Sequence, residues 1–294
     1  MQPDEQKCTT VYKMVTLYML TIPQTYPKRA IKLMIELNDC KKWVVAKETG
    51  RGGYKHWQIR LATSNPEFFV LEQKKIVTND GIEQKVTIKK GWLPKNIPEA
   101  HCEECNDVWD YERKEGNFWT SEDTDEVRRV RFGKLRPIQR DILAQLNQQG
   151  DRQIDVWLDK SGNHGKTWLS QHLYERGEAM VVPRSSCSPE KLSAYVCSAY
   201  RGEGIIIIDI PRSRKISPEL YESIEELKDG LVFDHRYSGR CRNIRGVKVL
   251  IFTNTELDTK KLSHDRWRLH GISKDTNALQ GATAHPPRGP PLKG

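Results

Sequence analysis

Several side chains in the first half of the chain have types and spacing suited to cutting a phosphodiester bond. His56 and Gln58 flank Trp57, so on a strand both point to one face while Trp57 points to the other. A neutral imidazole and an amide oxygen suit a divalent ion such as Mg2+ or Mn2+, and Glu48 on the preceding segment could add a carboxylate. Tyr111 and Lys114 are three apart, which on a helix puts them on one face. A phenol, with a pKa near 10, attacks phosphorus only when a metal polarises the phosphate and a cation stands nearby. Lys114 could be that cation.

The second half carries a different chemistry. Gly162-Asn163-His164-Gly165-Lys166-Thr167 follows a short apolar run and precedes a helical pattern. Backbone N–H groups of a glycine-rich turn cradle anionic oxygens, a lysine reaches the terminal phosphates of ATP, and a hydroxyl such as that of Thr167 holds Mg2+. The first glycine of the eight-residue pattern would fall at position 160, which is lysine; Gly162 is present instead. Asp209 ends a run of four isoleucines, where a second acid would orient Mg2+ and water. The pair Cys102 and Cys105 has no matching second pair and is insufficient for zinc.

These groups must be held by two kinds of scaffold. Tyr12–Ile22, Lys42–Lys47, His56–Ala62 and Gln84–Lys89 read as strands, with helices over Lys28–Asn38 and Asp107–Glu115, the latter stopped by Gly116. Strands with helices inserted imply a compact α+β domain over residues 1–120. The acidic stretch Thr120–Glu126 and the basic stretch Val127–Lys134 mark a linker, followed by a connecting helix over Arg136–Gln149; together they fill 121–150. In 151–272 the strands Ile154–Leu158, Gly204–Asp209 and Val247–Asn254 alternate with helices over Lys166–Arg176 and Ser217–Lys228, the last capped by Ser217. Apolar strands separated by helices imply an α/β domain with a largely parallel sheet covered on both faces. The Gly- and Pro-rich tail 273–294 is expected to be disordered, and no internal repeat is evident.

Bulk properties narrow the class. Lysine and arginine outnumber acids by 48 to 39, a formal charge of +9, which fits a polyanion partner. Seven cysteines without framework spacing argue against a disulfide scaffold and for a reducing compartment. The apolar stretch Met14–Pro23 is far shorter than the roughly 20 residues of a membrane span, so no membrane partner is expected and the protein should stay inside a cell.

Met19-Leu20-Thr21-Ile22-Pro23, His56-Trp57-Gln58 and Tyr111-Glu112-Arg113-Lys114-Glu115-Gly116 occur in the order of the three motifs of HUH-type endonucleases. The chain resembles the replication initiator (Rep) proteins of circular Rep-encoding single-stranded DNA viruses, in smacovirus-like or related plasmid-like form, over roughly Thr16 to Gly271. The resemblance implies an α+β HUH endonuclease domain followed by an AAA+-like superfamily 3 helicase domain. It implies that Tyr111 nicks a single-stranded origin at a stem-loop, stays joined to the 5′ phosphate and later closes a circle.

The same resemblance implies that Asn254 is the sensor asparagine positioning the attacking water, and that a hairpin within Asp229–Arg245 carries Arg236 and Arg240 onto single-stranded DNA. Arg266 or Arg268 would be an arginine finger acting across a subunit boundary, which requires a homo-oligomeric ring, possibly a hexamer. Asp209-Ile210-Pro211-Arg212 has one acid where such helicases usually have two. The host nucleus would be the location in a eukaryote and the cytoplasm in a prokaryote. Two other readings stay open: a non-replicative, transposase-like HUH enzyme, and a single-stranded DNA-binding ATPase without nuclease activity.

Overall fold

The computed structural model describes residues 15–77, 83–213, 216–236 and 239–272. The expected strand residues Tyr12–Met14 and the tail 273–294 lie outside them. Contacts divide the chain into two units. One runs to Phe132 and includes Glu175–Gly177; the other comprises Gly133–Tyr174 and the chain from Glu178 onward. The division falls inside the stretch 121–150 read as a linker. Among the described residues no helix is long and apolar enough to cross a membrane.

The first unit contains β1 (Thr16–Pro23), α1 (Lys28–Leu37), β2 (Cys40–Thr49), β3 (Lys55–Thr63), β4 (Val70–Val77), β5 (Glu83–Lys90), α2 (Trp92–Asn96), β6 (His101–Glu104), β7 (Phe118–Thr120) and α3 (Asp125–Arg131). Five of these strands form an antiparallel sheet in the order β6-β1-β3-β2-β7. Period-two alternation explains how β3 serves two purposes. Trp57, Ile59 and Leu61 enter a core with Leu20, Ile22, Ile31 and Met34, so α1 covers that face. His56, Gln58 and Arg60, one residue out of phase, go to the opposite face and are also buried. The pairing sets Thr21 opposite Gln58 and Glu48 opposite His56.

Two expectations for this unit need correction. The helix over Asp107–Glu115 is a single 3-10 turn, Tyr111–Arg113, with i→i+3 bonds from Arg113 to Asp110 and from Lys114 to Tyr111. The segment has no apolar stripe that a longer helix could bury, and helices this short rarely persist without packing. The strand expected at Gln84–Lys89 is β5, which pairs with β4 in a two-stranded ribbon apart from the main sheet. The stretch taken as linker contains α3, capped by Thr124, whose hydroxyl accepts from the Val127 amide at 3.2 Å.

The second unit contains α4 (Pro137–Asn147), β8 (Ile154–Leu158), α5 (Lys166–Glu175), β9 (Ala179–Val182), α6 (Pro189–Ala199), β10 (Ile205–Ile210), α7 (Pro218–Asp229), β11 (Leu231–Asp234), β12 (Arg240–Asn243), β13 (Lys248–Thr253) and β14 (Trp267–Gly271). Its sheet is entirely parallel in the order β14-β8-β13-β10-β9. The strands are apolar on both faces because both are covered. Ile206, Ile208, Val249 and Ile251 pack with Leu192 and Val196 of α6 and Leu220 and Ile224 of α7. Ile207, Leu250 and Phe252 pack with Ile142 of α4 and Leu169 of α5. Fully burying one such side chain contributes about 1.5–3 kcal/mol.

Local signals set the helix ends. Pro137 occupies the first turn of α4, and the Gln139 side chain accepts from the Arg136 amide at 2.8 Å. Ser217 stands at the cap position of α7, but its side chain makes no capping bond there, contrary to expectation; Pro218 alone preorganises that end. Gly230 closes α7 in the left-handed region at φ 88°.

Candidate functional site

In the first unit, β2 and β3 bring Glu48 and His56 side by side, with 3.8 Å between Glu48 Oε2 and His56 Nε2. His56 Nδ1 lies 3.2 Å from the Tyr54 carbonyl oxygen. If Nδ1 donates there, the lone pair of Nε2 faces Glu48, the tautomer a metal ligand needs. Gln58 accepts a hydrogen bond from Thr21 Oγ1 at its Oε1, at 3.0 Å. Glu48 is only 4% exposed, and its Oε1 is buried with no hydrogen-bond partner. Burial pushes its carboxyl above the ordinary carboxylate range, and the Lys114 ammonium offsets this only in part.

Lys114 joins this face to the nucleophile candidate. Its Nζ is 2.9 Å from Glu48 Oε2 and 3.9 Å from the Tyr111 ring centroid. Side chains three apart eclipse in a 3-10 turn, so the shorter helix still puts Tyr111 and Lys114 on one side. Burial lowers the Lys114 pKa, but hydrogen bonds with Tyr111 and Glu48 outweigh it and hold the ammonium above its usual range. Tyr111 is 52% exposed and therefore open to a large substrate.

The donor set fits a hard divalent ion in one respect and is sparse in another. An unpartnered buried carboxylate oxygen beside an imidazole invites a cation. Among the described residues, however, no group of three His, Cys, Asp or Glu could hold a metal. Glu48 and His56 are two such donors, and Gln58 supplies the third as an amide oxygen. Cys102 is buried in the core, its thiol pushed up to about 12 by desolvation, and Cys105 is half-buried.

Arg60 and Glu112 belong to this site and were missed in the sequence. Arg60 continues the face of His56 and Gln58, and Glu112 directly follows Tyr111. Arg60 Nε donates to Glu112 Oε1 at 2.9 Å, and its Nη1 donates to the Asn106 carbonyl at 2.6 Å. Both side chains are almost wholly buried. The pair ties the Tyr111 turn to β3. The signal lay in the alternation of β3, which predicts that residue 60 shares the face of 56 and 58.

In the second unit the loop after β8 turns through three left-handed residues, Gly162 (φ 76°), Asn163 (φ 66°) and Gly165 (φ 79°). Position 160 is not among them, so lysine there is no impediment to the turn. Buried Asp159, also missed in the sequence, organises the loop. It accepts from the Gly162 amide at 2.7 Å and from Lys166 Nζ at 2.5 Å, and pairs with His164 Nδ1 at 2.9 Å. Burial alone would raise its pKa, but these donors outweigh it and hold it below the usual range.

The Asn254 side chain donates to the Asp159 carbonyl at 2.5 Å, tying the end of β13 to the loop. A cleft of about 360 Å3 is lined by the loop from Gly162 to Thr167 with Asp209, Asn254, Arg184 and Arg212. It opens beyond the carboxyl ends of the parallel strands, where ligands of open α/β sheets bind. Gly165, at φ 79°, lies in the left-handed region that favours glycine, and a Cβ there would also displace the end of the Gln139 side chain, 2.9 Å away. Asp209 is engaged by Arg184 at 2.5 Å, and Arg212 donates to the Lys160 carbonyl at 2.8 Å; neither arginine was anticipated. A nucleotide phosphate chain fits a cleft with this loop and these cations.

The remaining candidates disperse. Arg266 is 3% exposed and is held by Glu225 at 3.0 Å and Asp229 at 2.7 Å, while Arg268 pairs with Asp155 at 3.2 Å. Both heads are paired with acids of their own unit. On the β11–β12 hairpin Arg236 is paired with Asp234 at 2.8 Å, and Arg240 lies exposed opposite Asp234.

Comparison with known proteins gives one consistent outcome. No family model matches the chain. It is 29% identical over 115 residues to the Master replication protein of Banana bunchy top virus, covering 39% of this chain and 38% of that protein. The similarity is to viral master replication proteins. The Master replication protein of Faba bean necrotic yellows virus is 26% identical over 132 residues, 45% of this chain and 43% of that protein. That of Subterranean clover stunt virus is 26% identical over 127 residues, 43% and 42% respectively. The chain thus spans about two fifths of the length of the curated relatives it matches.

Proposed function

We propose that the chain initiates rolling-circle replication by nicking and rejoining single-stranded DNA through Tyr111, and that its second unit hydrolyses ATP as a helicase motor. The carrying observation is the continuous link from Tyr111 through Lys114 to Glu48 beside His56. The names of the relatives support the biological role. A bound Mg2+ or Mn2+, held by Glu48, His56 and Gln58, would polarise the scissile phosphate.

The chain's own residues do the rest. Lys114 stabilises the developing phenolate of Tyr111 by hydrogen bond and charge. The Tyr111 oxygen forms a bond to phosphorus as the bond from phosphorus to the 3′ oxygen breaks. The proton lost by Tyr111 is matched by one gained at the departing 3′ hydroxyl. A later 3′ hydroxyl reverses the exchange, frees Tyr111 and joins the strand. In the second unit Lys166, Thr167, Asp209 and Asn254 would hold a bound Mg-ATP, which would supply the phosphoryl group for hydrolysis; Lys166 is placed to meet the phosphates and Asn254 to orient water. Arg240 on the β11–β12 hairpin contacts single-stranded DNA within a ring of subunits, in the nucleus of a eukaryotic host or the cytoplasm of a prokaryotic one.

The test uses stem-loop and single-stranded oligonucleotides with Mn2+. The wild type forms an SDS-resistant protein–DNA adduct, and Tyr111→Phe forms none. Absence of an adduct from the wild type with every metal and oligonucleotide tried would leave a DNA-binding ATPase as the better reading.

A further inference from the structure

Three long cationic side chains line the cleft of the second unit, and their charges are not equally answered. Lys166 Nζ is held by buried Asp159 at 2.5 Å. Arg184 is paired with Asp209, also at 2.5 Å. Lys160, beside them at the start of the loop, is paired with Glu256 at 2.6 Å. Arg212 differs from all of these. Its Nη2 donates to the Lys160 carbonyl at 2.8 Å, and among the described residues it has no acidic partner. A neutral acceptor holds the guanidinium in place but leaves its charge uncompensated.

The backbone accounts for where this guanidinium lies. β10 ends at Ile210, and Pro211 follows, with φ fixed near −65° and no N–H to extend the ladder. In the sheet β13 lies between β10 and β8. The bond from Arg212 to Lys160 therefore carries the guanidinium across the end of β13, where Asn254 stands, onto the loop that follows β8. A Cβ at Gly162 would lie 3.4 Å from Arg212 Nη2, so the head rests against bare loop backbone. Arg212 and the phosphate loop thus face one cleft of about 360 Å3.

We propose that Arg212 is an arginine finger supplied in cis: from within its own subunit it meets the terminal phosphate of a nucleotide held by the loop. This rests on the reading of the second unit as an ATPase. Hydrolysis breaks the bond from the terminal phosphorus to its bridging oxygen as a water oxygen attaches, and a proton of that water passes to solvent. Negative charge spreads over the phosphate oxygens, and a guanidinium fork pairs with two of them at once. The charges of Lys166 and Arg184 are answered by protein carboxylates; a phosphate chain is the partner that the surroundings of Arg212 lack. Arginine fingers act in cis in some nucleotide hydrolases and in trans in others. With the finger in cis each chain hydrolyses ATP by itself, and assembly serves the DNA rather than the chemistry.

The test uses the full chain and the variants Arg212→Ala, Arg212→Lys and Lys166→Ala. Binding without turnover is read by anisotropy of fluorescent ADP and of a fluorescent non-hydrolysable ATP analogue, both with Mg2+. Arg212→Ala should bind the ATP analogue at least about 10-fold more weakly, the equivalent of one charge-assisted hydrogen bond, and bind ADP as the wild type does. Its ATP turnover should fall by about 10³-fold or more. Arg212→Lys should recover only part of either loss, because an ammonium lacks the fork. Co-expression of Arg212→Ala with Lys166→Ala, purified through a different tag on each, decides between cis and trans. Each variant keeps the residue that the other lacks, so a finger crossing a subunit boundary would restore hydrolysis in the mixed assembly, whereas a finger in cis leaves it inactive. A monomeric wild type that hydrolyses ATP would support the assignment equally. Restored hydrolysis, a parallel loss of ADP affinity, or wild-type turnover in Arg212→Ala would each overturn it. A wild type that binds neither nucleotide would instead remove the ATPase reading, and this inference with it.

Discussion

Replacing Arg60 with methionine keeps most of the side-chain volume and removes the guanidinium. Glu112, fully buried and with its Oε2 already lacking a hydrogen-bond partner, would then be an isolated carboxylate. Breaking a buried ion pair by removing one partner costs about 3–5 kcal/mol. For a unit of this size that corresponds to a Tm fall of roughly 10–20 °C. The double variant Arg60→Met/Glu112→Leu removes both charges, leaves no orphan carboxylate and should recover at least about half of the loss. Calorimetry is the appropriate assay because it separates the transitions of two units.

Chemistry supplies a second readout for the same cycle. The double variant refolds its turn without the tie to β3, and a 1 Å displacement of a reacting group can cost about 10²-fold in rate. Adduct formation should therefore stay slow in the double variant although its stability returns. If the two single losses simply add in the double variant, Arg60 and Glu112 are not coupled and the clamp does not exist. If adduct formation recovers together with stability, the pair contributes to folding only.

Other outcomes follow from the same geometry. A raised Glu48 pKa means that the metal-free fold holds its full contribution from this group below the ordinary value of 4.5 and loses it as pH rises through the raised value. Mn2+ at about 100 times its Kd would add about 2.7 kcal/mol, so the Tm gain should appear as pH rises and vanish in acid; a full gain in Glu48→Gln would sink the ligand assignment. Lys166→Ala should abolish ATP hydrolysis and spare nicking, and loss of both would argue against separable units. Asp159→Asn should destabilise the second unit by about 1–3 kcal/mol, read by urea denaturation, because Lys166 and His164 lose a buried acceptor. Gly230→Ala forces a left-handed alanine whose Cβ lies 2.6 Å from Arg245 Cα, so a loss of about 1–3 kcal/mol is expected, and an unchanged Tm would contradict the close approach.

How much of this was legible depended on what kind of signal each element emits. The buried strands β8, β10 and β13 announce themselves as continuous apolar runs, because a parallel sheet covered on both faces has no polar side. β4, whose sequence VLEQKKIV is half charged or polar, gives no such signal; its pairing with β5 stabilises it, not burial. The Tyr111 segment has the helix formers Glu112, Arg113 and Lys114 but no apolar stripe at helical spacing, so propensity suggested a helix where only one turn forms. Asp159 could not be read because its role comes from burial at a strand end, and an isolated Asp-Lys-Ser carries no trace of that. Arg266 and Arg268 were ambiguous for the opposite reason: a finger and an internal ion pair use the same residue type.

The two faces of β3 have a consequence for how the gene can vary. Its odd positions build the core and its even positions build the site, so both depend on one parity. Inserting or deleting a single residue in the strand would swap them, turning His56, Gln58 and Arg60 toward α1 and the apolar side chains toward the nucleophile. Substitutions here can be graded and compensated, but changes of length cannot. Along this strand, an in-frame indel of an odd number of codons should disrupt core and site together, whereas one of two codons keeps the parity of the residues beyond it.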